Sequence, residues 1–463
     1  MPDLLLTHGY FLFEDEKELR IMRPYPPLGI LYISAYLRQL GFDVEVFDST
    51  FANRGDLYAR FLAAGKGVVG IYTNLITRRS VLEIVRAAKH AGWTVILGGP
   101  ESANYPERYI EYGADVVVLG EGEETMRDLL EELPKRGPQQ LHGISGTVFR
   151  DGSGNIVKNP PRAQIADLDS LPWPDRSQID QQRYIDVWRV QHGMGSVNLI
   201  TARGCPYKCR WCSHAVFGHT HRRRSFLNCV DELEYIANTW HPDQVWYADD
   251  VFTIHHGWLR SYAAELKRRN LKIPFETISR ADRMMKEEIL QTLADMGCYR
   301  IWIGSESGSQ KILDSMERGV SVEQVQWASR MAQRYGIEVG MFLMWGYEGE
   351  TLEDIEATIE HVKKCNPNTF LTTVAYPIMN TAYFKRVSDL VVIDRPWIEA
   401  TDRDYKIRGR HSRKYYEHAD LWLRNEVAAF RSEQDDPRGA AEKRLTALQA
   451  REALLSASGE VEA

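Results

Sequence analysis

Short runs of β-forming residues alternate with amphipathic helical runs over the first part of this 463-residue chain. Five predicted strands with helices between them indicate a parallel, doubly wound α/β sheet. The predicted strands span residues 3–9, 43–49, 68–73, 94–99 and 115–120. Ligands of such sheets bind above the carboxyl ends of the strands, so those ends are candidate binding positions.

The residues at these strand ends are mostly glycine or polar. They are Thr7, His8, Thr73, Asn74, Gly98, Gly99, Pro100, Glu101, Gly120, Glu121 and Gly122. Glycine lets a ligand approach the backbone closely and adopts φ values that other residues avoid. Neither G-x-G-x-x-G nor G-x-x-x-x-G-K-S/T occurs in the chain. By itself, the pattern therefore fits a phosphate, a nucleotide or another bulky ligand.

Segment 201–212, TARGCPYKCRWC, is the second informative stretch, and it follows a short apolar run. It holds three of the six cysteines in the spacing C-x3-C-x2-C, namely Cys205, Cys209 and Cys212. Three thiolates on one tight loop can bind three irons of a four-iron cluster and leave the fourth iron without a protein ligand. A closed zinc site is the alternative, and it needs a fourth ligand. The neighbouring candidates for that ligand are His214, His219 and His221.

The cysteine spacing resembles the signature of the radical S-adenosylmethionine (SAM) enzymes, in which the open iron chelates SAM and delivers the electron that cleaves it. The resemblance implies a partial, open-sided (β/α)6 barrel around the loop. Six predicted strands agree with it, at 196–200, 244–248, 273–278, 299–303, 338–345 and 369–375. Barrel chemistry takes place at the carboxyl ends of the strands.

By the same resemblance, polar groups at successive strand ends are expected to bind SAM. Asp249 and Asp250 would accept hydrogen bonds from the methionyl ammonium, and Arg280 would clamp the carboxylate with two N–H groups. The other expected contacts are Ser305 and Glu306 for the ribose, and Gly346 and Trp211 for the adenine. Taken singly, each carboxylate is equally compatible with a solvated loop residue.

The first domain looks like the cobalamin-binding domain that precedes many radical SAM domains, which implies a Rossmann-like or flavodoxin-like fold. The resemblance rests on PPLGILYISAYLR at 26–38, GFDVEVFD at 41–48, GGP at 98–100 and GEGEET at 120–125. It adds Leu28 and Gly29 to the expected cobalamin contacts.

Two departures from the family pattern concern the cobalt. The D-x-H-x-x-G motif is absent, and Glu101 stands where many relatives carry histidine. The resemblance therefore implies cobalamin bound without a histidine on its lower face, and His8 is the alternative ligand. A degenerate sheet that has lost its cofactor is the competing interpretation.

Composition and organisation fit a cytoplasmic enzyme. The net charge of −7 argues against a general nucleic-acid-binding protein. No apolar run approaches membrane-spanning length, and the cysteine pattern does not resemble a disulfide framework. We expect a cobalamin-binding domain over 1–135, a connector with a β-hairpin over 136–190, a radical SAM barrel over 191–390, and a helical extension with a disordered end over 391–463.

Together, the resemblances imply an enzyme that uses a [4Fe-4S] cluster, SAM and cobalamin. Methylation of an unactivated carbon is the first expectation. An oxidative cyclase or hydroxylase of the Mg-protoporphyrin ester cyclase type is the second, and a non-catalytic cobalamin or redox sensor is the third. The substrate class stays open among small molecules, lipids, tetrapyrroles and peptides. Electrons would come from an external low-potential donor of the flavodoxin or ferredoxin type.

Overall fold

The computed structural model describes residues 2–463, which divide into two compact units. The first unit contains the chain up to Pro206, together with Ser213–Val245 and Pro396–Thr401. The second contains Tyr207–Cys212, Trp246–Arg395 and Asp402–Ala463. The cysteine segment is thus shared in sequence between the two units.

Seven strands of the first unit form one sheet in the order β2-β1-β3-β4-β5-β6-β7. Their bounds are β1 Leu4–His8, β2 Val44–Val46, β3 Val68–Tyr72, β4 Thr94–Gly98, β5 Val116–Val118, β6 Thr147–Arg150 and β7 Ile156–Lys158. The first five strands are parallel, which confirms the doubly wound prediction. The hairpin β6–β7, which the sequence analysis placed in the connector, runs antiparallel and extends the sheet from β5.

Most helices of this unit bury one face, whereas the short α1 has no buried residue. They are α1 Glu16–Ile21, α2 Leu28–Gln39, α3 Arg54–Ala64, α4 Arg78–His90, α5 Pro100–Asn104, α6 Pro106–Tyr112, α7 Glu123–Arg136 and α8 Gln181–His192. On α4, for example, Val81, Val85 and Ala88 are buried at spacings of three to four residues. Helix α8 was not predicted, because most of its residues are polar and only Tyr184, Ile185, Trp188 and the N-terminal Gln181 are buried.

The first unit also contains the strand that precedes the cysteine segment and the ladder that follows it. These elements are β8 Ser196–Leu199, β9 Ala202–Arg203, β10 Arg222–Arg223 and α9 Phe226–Trp240, and they are followed by β11 Gln244–Tyr247. Strands β9 and β10 pair antiparallel, with Arg203 opposite Arg222. This pairing fixes the base of the loop that carries the cysteines.

In the second unit, four neighbouring strands are parallel and follow each other in chain order, as a (β/α) barrel requires. They are β12 Phe275–Ser279, β13 Cys298–Glu306, β14 Glu338–Trp345 and β15 Thr369–Val374. The helices are α10 His256–Arg268, α11 Glu287–Met296, α12 Gln310–Ser315, α13 Val322–Arg334, α14 Leu352–Cys365 and α15 Ala382–Val387. The predicted (β/α) alternation is confirmed over this part of the chain.

The tail consists of a small ladder and two long helices. These elements are β16 Val391–Val392, β17 Lys406–Ile407, α16 Arg413–Ser432 and α17 Pro437–Ser456. Helix α16 buries Tyr416, Leu423 and Val427, whereas Phe430 near its end is 42% exposed. At the end that we had expected to be disordered, Glu462 forms an ion pair with Arg410 at 2.8 Å. Among residues 2–463, no helix is long and apolar enough to cross a membrane.

Candidate functional site

Two guanidinium groups converge on the sulfur of Cys209 within the second unit. Nη1 of Arg280 and Nη1 of Arg318 each lie 3.7 Å from Sγ of Cys209. All three side chains are buried, with 2% of Arg280 and 7% of Arg318 exposed. Buried cations need anionic or hydrogen-bonding partners, so this pocket is suited to a sulfur that carries negative charge.

The surrounding hydrogen bonds hold both arginines in place. Arg280 donates from Nε to Asp282 at 2.9 Å and from Nη2 to the carbonyl of Arg318 at 2.8 Å, and its guanidinium lies 3.6 Å from the ring centre of Tyr207. Arg318 donates to the carbonyl of Gly304 at 3.0 Å. Asp282 is the nearest ionised partner, and Arg283 lies against its other oxygen at 3.2 Å. Cation charge therefore exceeds anion charge here, which fits an anionic iron–sulfur cluster.

The rest of segment 207–212 is anchored to the second unit through its backbone. The amide of Arg210 donates to the carbonyl of Met316 at 3.1 Å, and its carbonyl accepts from the amide of Tyr383 at 2.8 Å. Trp211 packs against the apolar cluster that contains Met316, Tyr347 and Tyr383. The expected adenine contact therefore lies beside an aromatic surface.

The other two cysteines differ from Cys209 in exposure. Cys205, which belongs to the first unit, is half-buried, and Cys212, which belongs to the second, is exposed. The amide of Cys212 donates to the carbonyl of Cys209 at 3.1 Å, so a tight turn separates these two residues. Their role as cluster ligands remains a prediction from the spacing.

The carboxylates after β11 occupy a crowded position. Asp249 is buried, whereas the side chain of Asp250 reaches the surface. Desolvation by the surrounding protein, with a contribution from the neighbouring Asp249, raises the pKa of Asp250. Two adjacent carboxylates of this kind favour a cationic partner, as expected for the binding of an ammonium group.

Ser305 and Glu306 are neighbours at the end of β13, where Glu306 adopts φ +62° and the ladder to β14 is irregular, and their side chains meet different partners. Oγ of Ser305 lies 2.9 Å from Nε2 of His361 on α14. Burial lowers the pKa of His361 to about 4, so the imidazole is neutral at pH 7. Glu306 instead faces Arg318, with Oε1 3.9 Å from Nε, and burial raises its pKa against the effect of the arginines. Of these two residues, Glu306 is the one that lies in the pocket of Cys209, Arg280 and Arg318.

Gly346 adopts φ +70°, and a side chain there would clash with the ring of Tyr416 on α16 at 2.8 Å. Its amide donates to Oε2 of Glu350 at 2.6 Å. Burial raises the pKa of Glu350 to about 8. The sequence analysis did not single out Glu350, which follows the end of β14 by five residues.

In the first unit, His8 is held by two hydrogen bonds. The backbone amide of Tyr10 donates to Nδ1 at 3.2 Å, so Nε2 carries the proton and donates to Asp48 at 3.0 Å. The hydroxyl of Tyr184 donates to the same carboxylate at 2.8 Å. Burial acts to raise the pKa of Asp48, but these hydrogen bonds and His8 hold it below its ordinary value. With both ring nitrogens engaged, His8 is a structural residue in this arrangement.

The two candidate carboxylates of this unit are also engaged in buried ion pairs. Glu101 lies 2.5 Å from Arg78, and both side chains are almost completely buried. Glu121 contacts Arg203 and Arg222 at 2.7 Å each and accepts from the amide of Ile165 at 2.9 Å. Glu121 thus connects the end of β5 to the ladder at the base of the cysteine loop.

The remaining strand-end residues separate into packed and open positions. Thr7 bonds Ser49, Thr73 bonds the carbonyl of Gly98, Asn74 accepts from the amide of Thr77, Pro100 begins α5, and Leu28 is buried on α2. A side chain at Gly99 would lie 2.3 Å from the carbonyl of Thr73, and one at Gly122 would lie 2.7 Å from Ile33. In contrast, apart from the adjoining backbone, none of the described atoms lies within 4 Å of a Cβ placed at Gly29 or Gly98. A Cβ at Gly120, which has φ +83°, would meet only the carbonyl of Val216 at 3.7 Å. The open glycines fit a bulky ligand.

The histidines proposed for a zinc site have other contacts. The rings of His214 and His219 lie 4.0 Å apart, and Nδ1 of His214 lies 3.2 Å from the carbonyl of Gly218. Nδ1 of His221 lies 3.1 Å from the carbonyl of Gly204. Within residues 2–463, no three His, Cys, Asp or Glu side chains gather closely enough to hold a single metal ion.

Comparison with known proteins gives two family matches in this chain. The Radical SAM superfamily model matches residues 199–362, and the B12 binding domain model matches residues 21–130. An uncharacterised methyltransferase of Pyrococcus horikoshii is 26% identical over 83% of this chain and 84% of its own length. An anaerobic magnesium-protoporphyrin IX monomethyl ester cyclase of Rubrivivax gelatinosus is 24% identical over 80% and 67%. The solved radical SAM methyltransferase TsrM of Kitasatospora setae, with cobalamin and a [4Fe-4S] cluster bound, has a TM-score of 0.69 at 19% identity, covering 84% of this chain and 75% of its own.

Proposed function

Since the chain belongs to the radical SAM superfamily and carries a B12 binding domain ahead of the cysteine segment, we propose that it is a cobalamin-dependent radical SAM enzyme that methylates an unactivated carbon. The observation that carries the proposal is the presence of both domain types in one chain. The methyltransferase names of the Pyrococcus relative and of the Kitasatospora structure support methyl transfer as the outcome.

The residues that would hold the cluster are Cys205, Cys209 and Cys212. When bound, the cluster supplies the electron that cleaves SAM to methionine and a 5′-deoxyadenosyl radical, and cobalamin supplies the methyl group. Asp249 and Asp250 would accept hydrogen bonds from the ammonium of SAM. Trp211 and its aromatic neighbours would cover the adenine and exclude water.

In the first unit, the open glycines would receive the cobalamin. Gly29 and Gly98 leave space above the sheet, whereas His8, Glu101 and Glu121 hold the surrounding backbone through their own hydrogen bonds and ion pairs. Cobalamin would then bind without a histidine on its lower face. We therefore keep the proposed cobalamin site, but propose that His8, Glu101 and Glu121 hold its backbone in place and do not contact the cobalamin.

The enzyme would also need a low-potential electron donor of the flavodoxin or ferredoxin type and a cytoplasmic setting. Reducing compartments keep thiols such as the buried Cys298 and Cys365 from pairing as disulfides. The substrate class stays open among small molecules, lipids, tetrapyrroles and peptides. We retain 1–135, 136–190, 191–390 and 391–463 as the proposed domain boundaries.

The experiment is anaerobic reconstitution with iron, sulfide and hydroxocobalamin, followed by SAM and a strong reductant. We expect 5′-deoxyadenosine from the wild type and none from Cys209→Ala. The matched control is Cys298→Ala, which removes the buried thiol at the start of β13, whereas Glu306 lies at its end. This variant should retain product formation. Cluster binding without SAM cleavage in the wild type, at all substrates offered, would favour the sensor.

A second candidate is supported by the Rubrivivax relative, which is named as an anaerobic ester cyclase. The two functions differ in their second product. Methyl transfer forms S-adenosylhomocysteine together with 5′-deoxyadenosine, whereas an oxidative cyclase or hydroxylase forms no S-adenosylhomocysteine. Quantifying both nucleosides in one reaction separates the alternatives.

A further inference from the structure

We propose that Arg280 and Arg318 set the reduction potential of the cluster by donating N–H···S hydrogen bonds to the ligand sulfur of Cys209. Both guanidiniums lie 3.7 Å from that sulfur, within the range of hydrogen bonds to sulfur. The inference rests on the proposed function, because it assumes that Cys209 binds a cluster. It assigns to Arg280 a role different from the SAM clamp expected from sequence.

The hydrogen bonds of Arg280 leave little capacity for a clamp. Its Nε is committed to Asp282, its Nη1 points to Cys209, and its Nη2 is shared between the carbonyls of Arg318 and Gly319 at 2.8 and 3.3 Å. Binding a carboxylate with a two-pronged fork would break at least two of these contacts. The geometry therefore favours Arg280 as a fixed donor to the sulfur.

Arg318 reaches the same sulfur from the turn between α12 and α13. Nη2 is held by the carbonyl of Gly304, and Nε, which makes no hydrogen bond within residues 2–463, lies 3.9 Å from Glu306. Sequence analysis did not single out Arg318, because this residue does not follow a strand. Only the fold brings its guanidinium to the cysteine segment.

The local charge explains the direction of the effect. Asp282 is shared between Arg280 and Arg283, so it cannot fully neutralise either guanidinium. Adding an electron to a thiolate-ligated cluster makes it more negative, and nearby positive charge stabilises that reduced state more than the oxidised state. Hydrogen bonds to the sulfurs and net charge are established determinants of cluster potential, and their effect is strongest where water is excluded. The two arginines should therefore raise the potential.

The test is a redox titration of the reconstituted full-length protein, monitored by electron paramagnetic resonance without SAM. We compare the wild type with Arg318→Met and Arg318→Gln, of which the glutamine variant retains an N–H for Gly304 but removes the charge. Arg318→Lys preserves the charge, and Arg334→Gln is the matched control, because Arg334 is an exposed arginine at the end of α13 that pairs with Glu287 and is not among the donors to Cys209. Iron and sulfide content is measured for every variant.

We expect the ratio of reduced to oxidised cluster at a fixed potential to fall about tenfold in Arg318→Met and Arg318→Gln, which corresponds to about 59 mV for a one-electron couple. Arg318→Lys should change the ratio by less than about threefold, since the charge that stabilises the reduced state remains. Arg334→Gln should titrate with the wild type.

The outcomes distinguish this inference from the proposed function. Should the wild type fail to assemble a cluster, both are overturned. If the wild type assembles a cluster and a charge-removing variant with full iron content titrates at the wild-type potential, only the inference is overturned. If Arg318→Met is recovered without iron, the titration of Arg318→Gln decides in the same way.

Discussion

Replacing Glu350 by glutamine should stabilise the protein at alkaline pH and have little effect at pH 5. The carboxyl group follows β14 and accepts from the amide of Gly346 at 2.6 Å, while its Oε1 is enclosed and has no hydrogen-bond partner among residues 2–463. Burial raises its pKa to about 8, and Asp354 adds to the shift. Glutamine has the shape of the protonated acid and keeps the oxygen that Gly346 requires.

The sign follows from the raised pKa. In the folded state the group stays protonated up to pH 8, whereas in the unfolded chain it ionises near 4.5. Stability is therefore fully present below pH 4.5 and falls as the pH rises towards 8, by at most about 1.4 kcal/mol per pH unit. The ceiling is about 5 kcal/mol, and we expect about 2 kcal/mol, because the side chain as a whole is only half-buried and solvent reduces the penalty.

The assay is thermal unfolding of wild type and Glu350→Gln at pH 5 and pH 8.5. With about 2 to 4 °C per kcal/mol for a unit of 150 to 250 residues, the variant should melt about 4 to 8 °C above the wild type at pH 8.5 and within about 2 °C of it at pH 5. Glu348→Gln, an exposed change in the same loop, is the control and should show no such pH dependence. A melting difference that is constant from pH 5 to 8.5 would refute the reasoning.

Two further predictions concern the first unit. Arg203→Met leaves Glu123 buried without its cation, so we expect urea unfolding to show a loss of about 3 kcal/mol in the free energy of unfolding. The control is Arg79→Met, which replaces an exposed arginine on α4 and should cost less than about 0.5 kcal/mol. Equal losses in the two variants would contradict the assignment of Arg203 as the buried partner of Glu123. The protein with cob(II)alamin bound should show no nitrogen splitting from His8 in its paramagnetic resonance spectrum, and His8→Ala should leave that spectrum unchanged. A nitrogen splitting that His8→Ala removes would make His8 a cobalt ligand.

The layered architecture was predictable because strand and helix periods alternate along the chain. Strand β14 was predicted at 338–345, its observed bounds, since six of these eight residues are apolar and the segment lies between a helix end and a glycine. Helix α8 was missed for the opposite reason, because its apolar stripe is only a few residues wide. The hairpin β6–β7 was recognised from its turn residues, but its partner strand β5 lies about thirty residues earlier, and sequence pattern alone does not reveal such a pairing.

The side chains of the site were less predictable than the strand ends that carry them. Residues 305 and 306 were singled out as following the predicted strand 299–303, whereas β13 extends through Glu306, and the ladder to β14 is irregular beyond Gly304, so the sequence could not show which side chain faces Arg318. Arg280 was singled out because it follows a predicted strand. Arg318, which contacts the same sulfur of Cys209, was not singled out, because it lies in a turn between two helices. Cys209, in contrast, was singled out by the C-x3-C-x2-C spacing, and its role as a cluster ligand stays a prediction.

The antiparallel hairpin has a consequence for separating the cobalamin domain from the rest of the chain. Strand β5 has β4 on one side and β6 on the other, with Val116 opposite Phe149 and Val118 opposite Thr147. A fragment ending at residue 135 would remove β6 and leave a row of unpaired amide and carbonyl groups along an entirely apolar strand. Such an edge invites pairing between molecules, so the short fragment should aggregate, whereas one that continues through Lys158 retains a sheet whose outermost strand is short and partly charged.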